Sequence, residues 1–436
     1  MQQRLADAAK STLEQAGFPL VRQDVPISIT GPSKFRADLV AWSGDPAGEV
    51  RPYAAVEVLS PHAGPSAIEA ALESLTLVRD LLGTRVHYVV TGTTWLQADS
   101  GLREARPVPG PHKPPTPRHL QLTDPEIATK LLDQRLWELA DHQRARGSHH
   151  LAVDALVALL DDLAQHPSTL PVGNSIANVS EEVLWPALRS AARHALARGY
   201  DFSPYTSVPA IADPMAALLG PLWDGIAVDP FCGVGSILWA VGARAQADGH
   251  HINLRGYDLN PTIADLARRL GALSPNPLDI EVRDSLQTQR EEADFVVAEP
   301  PIGLRLNEPY YLAEVGDTRD GDLAVLDASL RFLHPGGRAV IHLSSGWTHR
   351  GGVAERFRDR LLDTCRVTAL IGLPPSSLSG TSIPSMLVVL DKAGPTETFV
   401  SQLGEDWPQQ LSPGGSALSD YLAHVSSARP LDQHGG

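Results

Sequence analysis

The sequence predicts an α/β protein: an open, doubly wound, mainly parallel sheet in its second half, preceded by a helical region and a small N-terminal α/β domain. Three observations predict it. From Tyr200 onward, buried-strand runs alternate with helical segments. The first of these strands runs directly into a glycine turn, DPFCGVGS at 229–236, which opens a helix. Further upstream, the proline-dense stretch ARPVPGPHKPPTPRHLQL has fixed φ angles and missing N–H donors, so it interrupts regular structure and separates an N-terminal unit.

That unit, residues 1–120, opens with an amphipathic helical pattern. Two strand-like runs follow, FRADLVAW from Phe35 and YAAVEVLS from Tyr53, then a helix in AIEAALESLTLVRDLL and a buried strand in HYVVTG from His87. Residues 121–199 read as almost wholly helical, with LAVDALVALLDDLAQ and SEEVLWPALRSAARHALARG as the clearest amphipathic segments and Ser180 as an N-cap. Over 200–395 the strands are GIAVDP, LRGYDLN, DIEVRD, DFVVAEP, GRAVIHLS, RVTALIGLP and SMLVVLDK. Residues 396–436 are polar and rich in Gly, Ser and Pro, and are expected to be loosely packed.

The bulk composition bounds the function. At 436 residues the chain exceeds the size of a single core, so two or three units are expected. Cys232 and Cys365 have no CxxC spacing, and His149 and His150 show no ligand pattern, so no metal site is expected. The opening MQQRLADAAKSTLEQAGF is polar throughout, and no run approaches roughly 18 uncharged apolar residues, which disfavours secretion and membrane insertion and points to the cytoplasm. A formal net charge of −15 argues against a global nucleic-acid footprint, so any DNA contact must come from a local basic strip or a partner subunit.

The candidate site lies at the carboxyl edge of the parallel strands. Gly233 and Gly235 allow a tight turn and close ligand approach, and the helix after them presents free N–H groups. Asp258 ends the next strand, where a carboxylate can accept bonds from both hydroxyls of a ribose, and Asp284 and Ser285 end the one after. Taken singly, the glycines could serve turn geometry and Asp258 could cap a helix. Three successive strands delivering such groups to one edge describe a nucleotide-like cofactor site.

In DPFCGVGSILWA, YDLNP, RDSL and FVVAEPPIG, in that order, the chain resembles the adenine-N6 DNA methylases, specifically the modification subunits of type I restriction-modification systems. The upstream FSPYTSVPAIADPMAALL and the downstream FLHPGGRAVIHLSS, RDRLLDTCRVTALIGLP and SIPSMLVVLDK extend the resemblance over about 190 residues. It implies a Rossmann-like methyltransferase domain that binds S-adenosylmethionine through Thr206, Asp229, Pro230, Phe231, Gly233, Gly235, Asp258, Asp284 and Ser285. It implies catalysis at Glu299, Pro300, Pro301 and Ile302, where the family carries Asn or Asp, two prolines and an aromatic ring.

In that family the first side chain and the following carbonyl accept hydrogen bonds from the adenine amine, and the aromatic ring stacks on the flipped base. Here Glu299 is one methylene longer than Asp and Ile302 has no stacking face, for which Tyr310, Tyr311 or Trp347 could substitute. The resemblance implies DNA as partner through a separate specificity subunit, with a protein partner or homo-oligomer, in restriction-modification or phage defence. Two alternatives stay open: a catalytically degenerate binding subunit of a defence complex, and a protein methyltransferase.

Asp38 and Glu57, on successive strands, resemble the acidic pair of PD-(D/E)xK nucleases and of the N-terminal domain of type I restriction subunits. There the pair binds magnesium, and a lysine two residues on assists the attacking water. Leu59 stands at that lysine position, so a degenerate unit or an inert accessory domain is expected.

Overall fold

The structure is a computed structural model that describes residues 2–28, 34–115, 119–148, 150–173, 175–198, 205–287, 292–377, 383–394 and 397–428. It divides into two compact units, residues 1–138 with 161–191, and residues 139–160 with 192–436.

The first unit begins with α1 (Gln2–Gln15), β1 (Leu20–Ser28), β2 (Lys34–Gly44), β3 (Val50–Leu59), α2 (Pro65–Leu82), β4 (Val86–Thr91), β5 (Thr94–Ala98) and β6 (Ala105–Val108). The strands form one sheet in sequence order. Only β3 and β4 are parallel, because α2 carries the chain back across the sheet between them while tight connections join the rest. Pro65 starts α2 where an N–H would be unpaired anyway, and Gly83, at φ 69°, ends it by donating to the Arg79 carbonyl. Leu13, Leu39, Val56, Val58, Tyr88 and Trp95 share the core of this sheet.

The chain continues through β7 (Leu120–Leu122), α3 (Pro125–Ala145), α4 (Leu151–Gln165), β8 (Thr169–Val172), β9 (Ser175–Val179) and α5 (Glu181–Arg198). Residues 121–199 are therefore not almost wholly helical as expected: β7, β9 and β8 form a three-stranded sheet in that order. Thr169–Val172 and Ser175–Val179 are too short to show a period, yet Leu170, Val172, Ala177 and Val179 alternate inward.

The second unit contains α6 (Pro209–Leu218), β10 (Gly225–Asp229), α7 (Ser236–Asp248), β11 (Ile252–Asp258), α8 (Pro261–Gly271), β12 (Leu278–Val282), β13 (Ala293–Ala298), the hairpin β14 (Arg305–Leu312) and β15 (Gly316–Asp320), and α9 (Gly321–Phe332). Then come β16 (Leu333–Ser344), α10 (Val353–Thr364), β17 (Arg366–Leu373), β18 (Ser385–Asp391), β19 (Phe399–Gln402), α11 (Trp407–Gln410) and α12 (Ser416–Ala428). The sheet order is β12-β11-β10-β13-β16-β18-β17-β19. Strands β12, β11, β10, β13 and β16 run parallel, and β18 is antiparallel to both β16 and β17.

The chain moves outward from β10 to β11 and β12, then returns to place β13 on the other side of β10. That reversal opens a crevice at the carboxyl ends of β10 and β13, the position where open parallel sheets bind ligands. Over residues 397–428 the segment expected to be loosely packed is instead folded onto the domain. Strand β19 joins the sheet beside β17, and Trp407, Leu411, Leu418, Tyr421 and Val425 are buried. The Tyr421 hydroxyl donates to the Leu218 carbonyl at 2.6 Å. Among the described residues, no helix is long and apolar enough to cross a membrane.

Candidate functional site

Strand β10 delivers Asp229 to the switch point, where it is buried and its Oδ1 accepts the Phe231 N–H at 3.0 Å. The turn then closes tightly, with the Gly235 N–H donating to the Cys232 carbonyl at 2.8 Å. Gly233 has φ 53° and Gly235 φ 91°, left-handed values that strain other residues. A Cβ on Gly233 would collide with the Tyr205 carbonyl, the same oxygen that accepts the Val234 N–H at 3.0 Å. Ser236 begins α7 directly after the turn, and Thr206 lies against it with the two hydroxyls 3.4 Å apart. Pro230 is buried and Phe231 half-buried against the apolar core.

Asp258, ending β11, ties the neighbouring strand to this turn. Its Oδ2 accepts the Gly233 N–H at 3.1 Å and its Oδ1 accepts the Asn260 N–H at 2.7 Å. Each oxygen keeps a lone pair for a ligand hydroxyl. Asn260 caps α8 by accepting the Thr262 N–H. Its Nδ2 also lies 3.4 Å from the Tyr205 hydroxyl. At the end of β12, Asp284 accepts the Leu286 N–H and the Gln287 amide. The Ser285 hydroxyl beside it is buried and has no hydrogen-bond partner among the described residues. A buried orphan hydroxyl carries a desolvation cost that a polar ligand atom would relieve.

Glu299 follows β13 directly, so four strands of the crevice carry a carboxyl group at or just beyond their carboxyl ends. Burial pushes the Asp229 carboxyl up to about 8, opposed by the Phe231 N–H and reinforced by Asp258 and Glu299 nearby. Burial also raises Asp258, against its two backbone donors. Such a set of acids favours a ligand that brings positive charge.

The Glu299 Oε1 meets the Nδ1 of His342 on β16 at 2.8 Å, and the imidazole Nε2 meets the Ser385 hydroxyl on β18 at 2.9 Å. Neither His342 nor Ser385 was expected from the sequence. The available signal was an imidazole within the otherwise apolar strand run GRAVIHLS. Pro300 is buried, Pro301 exposed and Ile302 half-buried.

Two of the three rings nominated to replace the missing aromatic are unavailable. Trp347 is buried in the sheet core. The Tyr310 hydroxyl donates to Asp327 at 2.6 Å and accepts from Arg331 at 2.7 Å, which holds the ring against α9. Tyr311, 68% exposed on the β14–β15 hairpin, is the remaining one.

In the first unit, Asp38 and Glu57 do come together. Asp38 Oδ2 accepts the Val58 N–H at 2.8 Å and Glu57 Oε1 accepts the Ser74 hydroxyl at 2.8 Å. Burial, then the Asp38 charge, push Glu57 up to about 8. Among the described residues no group of three or more His, Cys, Asp or Glu could hold a metal ion. His149 lies outside the described residues.

Residues 190–404 match the N-6 DNA methylase family. The MjaVIII methylase subunit of a type I restriction enzyme from Methanocaldococcus jannaschii is 28% identical over 218 residues, 44% of this chain and 37% of that protein. The MjaVII methylase subunit from the same organism is 26% identical over 196 residues, 40% of this chain and 34% of its own length. The chain thus spans little more than a third of the length of the curated relatives it matches. A solved structure of a class I S-adenosylmethionine-dependent methyltransferase, described as putative, from Listeria monocytogenes superposes with a TM-score of 0.54 at 15% identity, covering 69% of this chain and 99% of that one. That likeness shows the fold.

Proposed function

With a domain of the N-6 DNA methylase family over residues 190–404 as the premise, we propose that this chain is an S-adenosylmethionine-dependent DNA methyltransferase acting on the N6 amine of adenine. The observation that carries the reading is the switch-point turn itself. Gly233 and Gly235 are in left-handed conformations, with Gly233 bonded to Asp258 of the adjoining strand, and the buried Ser285 hydroxyl, unpartnered among the described residues, follows the next strand, β12.

The residues present fit the cofactor. Gly233, Gly235 and Thr206, with Asp229, Pro230 and Phe231, would hold it at the N-terminus of α7. Asp258 keeps lone pairs that would accept ribose hydroxyls, and Asp284 and Ser285 would meet the base. When bound, S-adenosylmethionine supplies an electrophilic methyl group on a positively charged sulfur, the charge that the surrounding carboxyl groups favour.

The chain's part in the reaction is orientation. The adenine amine is a weak nucleophile because its lone pair is delocalised into the ring. Glu299 and the Pro300 carbonyl accept its two N–H bonds and turn the lone pair toward the methyl group. Ile302 and Pro301 form the apolar lip that meets the flipped base, with Tyr311 as the nearest exposed ring in sequence. DNA is engaged through a separate specificity subunit, since the chain's charge of −15 supplies no general attraction to phosphate. Such an assembly would work in the cytoplasm, in restriction-modification or phage defence, with the Asp38–Glu57 unit as an accessory domain.

The altered EPPI motif favours a second reading, a methylase-like binding subunit that holds cofactor without transfer, or transfers to a protein amide. Titration calorimetry with S-adenosylmethionine tests the site, comparing the intact chain with Asp258→Asn, which keeps one backbone bond but removes the charge. Transfer of labelled methyl to adenine in DNA, with a specificity subunit present, supports the enzyme. Binding without transfer to DNA supports the second reading, and no binding by the intact chain refutes both.

A further inference from the structure

Glu299 stands where a shorter side chain is usual, and its surroundings address that difference. β13 and β16 are parallel neighbours with Ala298 opposite Ile341, so the next residues, Glu299 and His342, lie side by side. Ser385 stands on the following strand, β18. Hydrogen bonds link the three side chains in one line across adjacent strands, from Glu299 to His342 and then diagonally to Ser385, whose register partner is Ser344, and the Ser377 hydroxyl continues it at 3.1 Å.

The line has a direction. A neutral imidazole has one donor and one acceptor nitrogen. The Glu299 carboxylate can only accept, so Nδ1 carries the proton. With a neutral ring, Nε2 then accepts from Ser385, and Ser385 in turn accepts from Ser377. The His342 side chain is 0% exposed and that of Glu299 15% exposed, so the imidazole is the inner partner and the carboxylate faces the crevice. His342 occupies Oε1 alone, and no protein donor to Oε2 is present among the described residues.

We propose that His342 is a positioning residue for methyl transfer: it anchors Glu299 through Oε1 so that Oε2 is held as the acceptor for the reacting amine, with Ser385 and Ser377 fixing the tautomer. The inference rests on the methyltransferase reading above. An unanchored glutamate samples several rotamers, and attack geometry tolerates displacements of only about 1 Å. Backward anchoring offsets the extra methylene, so EPPI becomes a working variant rather than a lapsed one.

The test compares His342→Leu, which removes the donor, with His342→Asn, whose amide nitrogen can replace Nδ1, in the full chain with its specificity subunit. Leu should lower kcat about 10- to 100-fold, the worth of one hydrogen bond to a charged group, while KM for S-adenosylmethionine changes less than about twofold. Asn should restore kcat to within about fivefold of the intact protein. Thermal unfolding and cofactor titration check that both variants are folded. Undiminished kcat in the Leu variant, or equal losses in both, overturns the proposal.

A second readout stands apart from activity. A downfield, hydrogen-bonded imidazole N–H proton resonance should be present in the intact chain and absent in both Glu299→Ala and His342→Asn. If the intact chain methylates no DNA, the N6-adenine reading fails and this resonance decides the anchoring: its presence and loss in both variants supports it, its absence from the intact chain overturns it.

Discussion

Replacing Asp229 with Asn should change how stability depends on pH. The carboxyl is fully buried at the end of β10 and, among the described residues, accepts only the Phe231 N–H, a bond that an Asn oxygen can keep. Its pKa rises from 3.8 to about 8, chiefly through burial. Between those values the folded chain holds a proton that the unfolded chain has released. The stabilising preference of the folded state is complete below about pH 4 and is lost as pH rises toward 8. At about 1.4 kcal/mol per pH unit, the loss at pH 7 reaches about 4 kcal/mol as an upper bound. Asn has no proton to lose and escapes it.

Thermal unfolding of the intact chain and Asp229→Asn from pH 4 to pH 8 measures the difference. The two should melt close together at the acid end and diverge steadily, with Asn higher by about 5 °C or more at pH 7, given roughly 2–4 °C per kcal/mol in a domain of this size. Parallel curves across the range would refute the placement of a protonated carboxyl beneath the glycine turn. Bound S-adenosylmethionine should narrow the gap, because a cation nearby favours the carboxylate.

Gly233→Ala combines a left-handed conformation, costing about 1–2 kcal/mol, with displacement of the Tyr205 carbonyl, so calorimetry should show cofactor affinity at least about tenfold weaker. Arg338 and Asp391 form a buried two-bond pair at 2.6 and 2.9 Å, which Thr368 also joins. Asp391→Ala should cost about 3–5 kcal/mol by denaturant unfolding, and Arg338→Met with Asp391→Leu should recover much of it. Ile302→Tyr restores a ring worth about 1–3 kcal/mol of stacking, so binding to an adenine-containing single strand should tighten by at least about fivefold, as fluorescence anisotropy would show.

The sheet of the second unit was legible because its central strands, in DFVVAEP, GRAVIHLS and SMLVVLDK, are dense apolar runs buried on both faces, while the edge strand in DIEVRD shows itself by alternation. The glycine turn was legible because strand, glycines and helix follow without a break. What escaped notice lacked a period or spoke through one residue. Strands β8 and β9 are too short for alternation to stand out. In α12, Leu418, Tyr421 and Val425 recur at helical spacing within a Ser-rich sequence whose composition suggested a tail. His342 sits in a run that reads as core, and only the register of β13 against β16 reveals that it faces Glu299. For Tyr310 and Trp347, ring type was visible in the sequence, but Asp327, Arg331 and burial decided their use.

The bond from Tyr421 to the Leu218 carbonyl links residues 203 positions apart. At ribosomal speeds of about 5–20 residues per second, α6 waits roughly 10–40 s after its own synthesis before its last partner exists. Throughout that interval the helix that precedes the glycine turn has an unfinished contact surface, open to solvent until α12 docks.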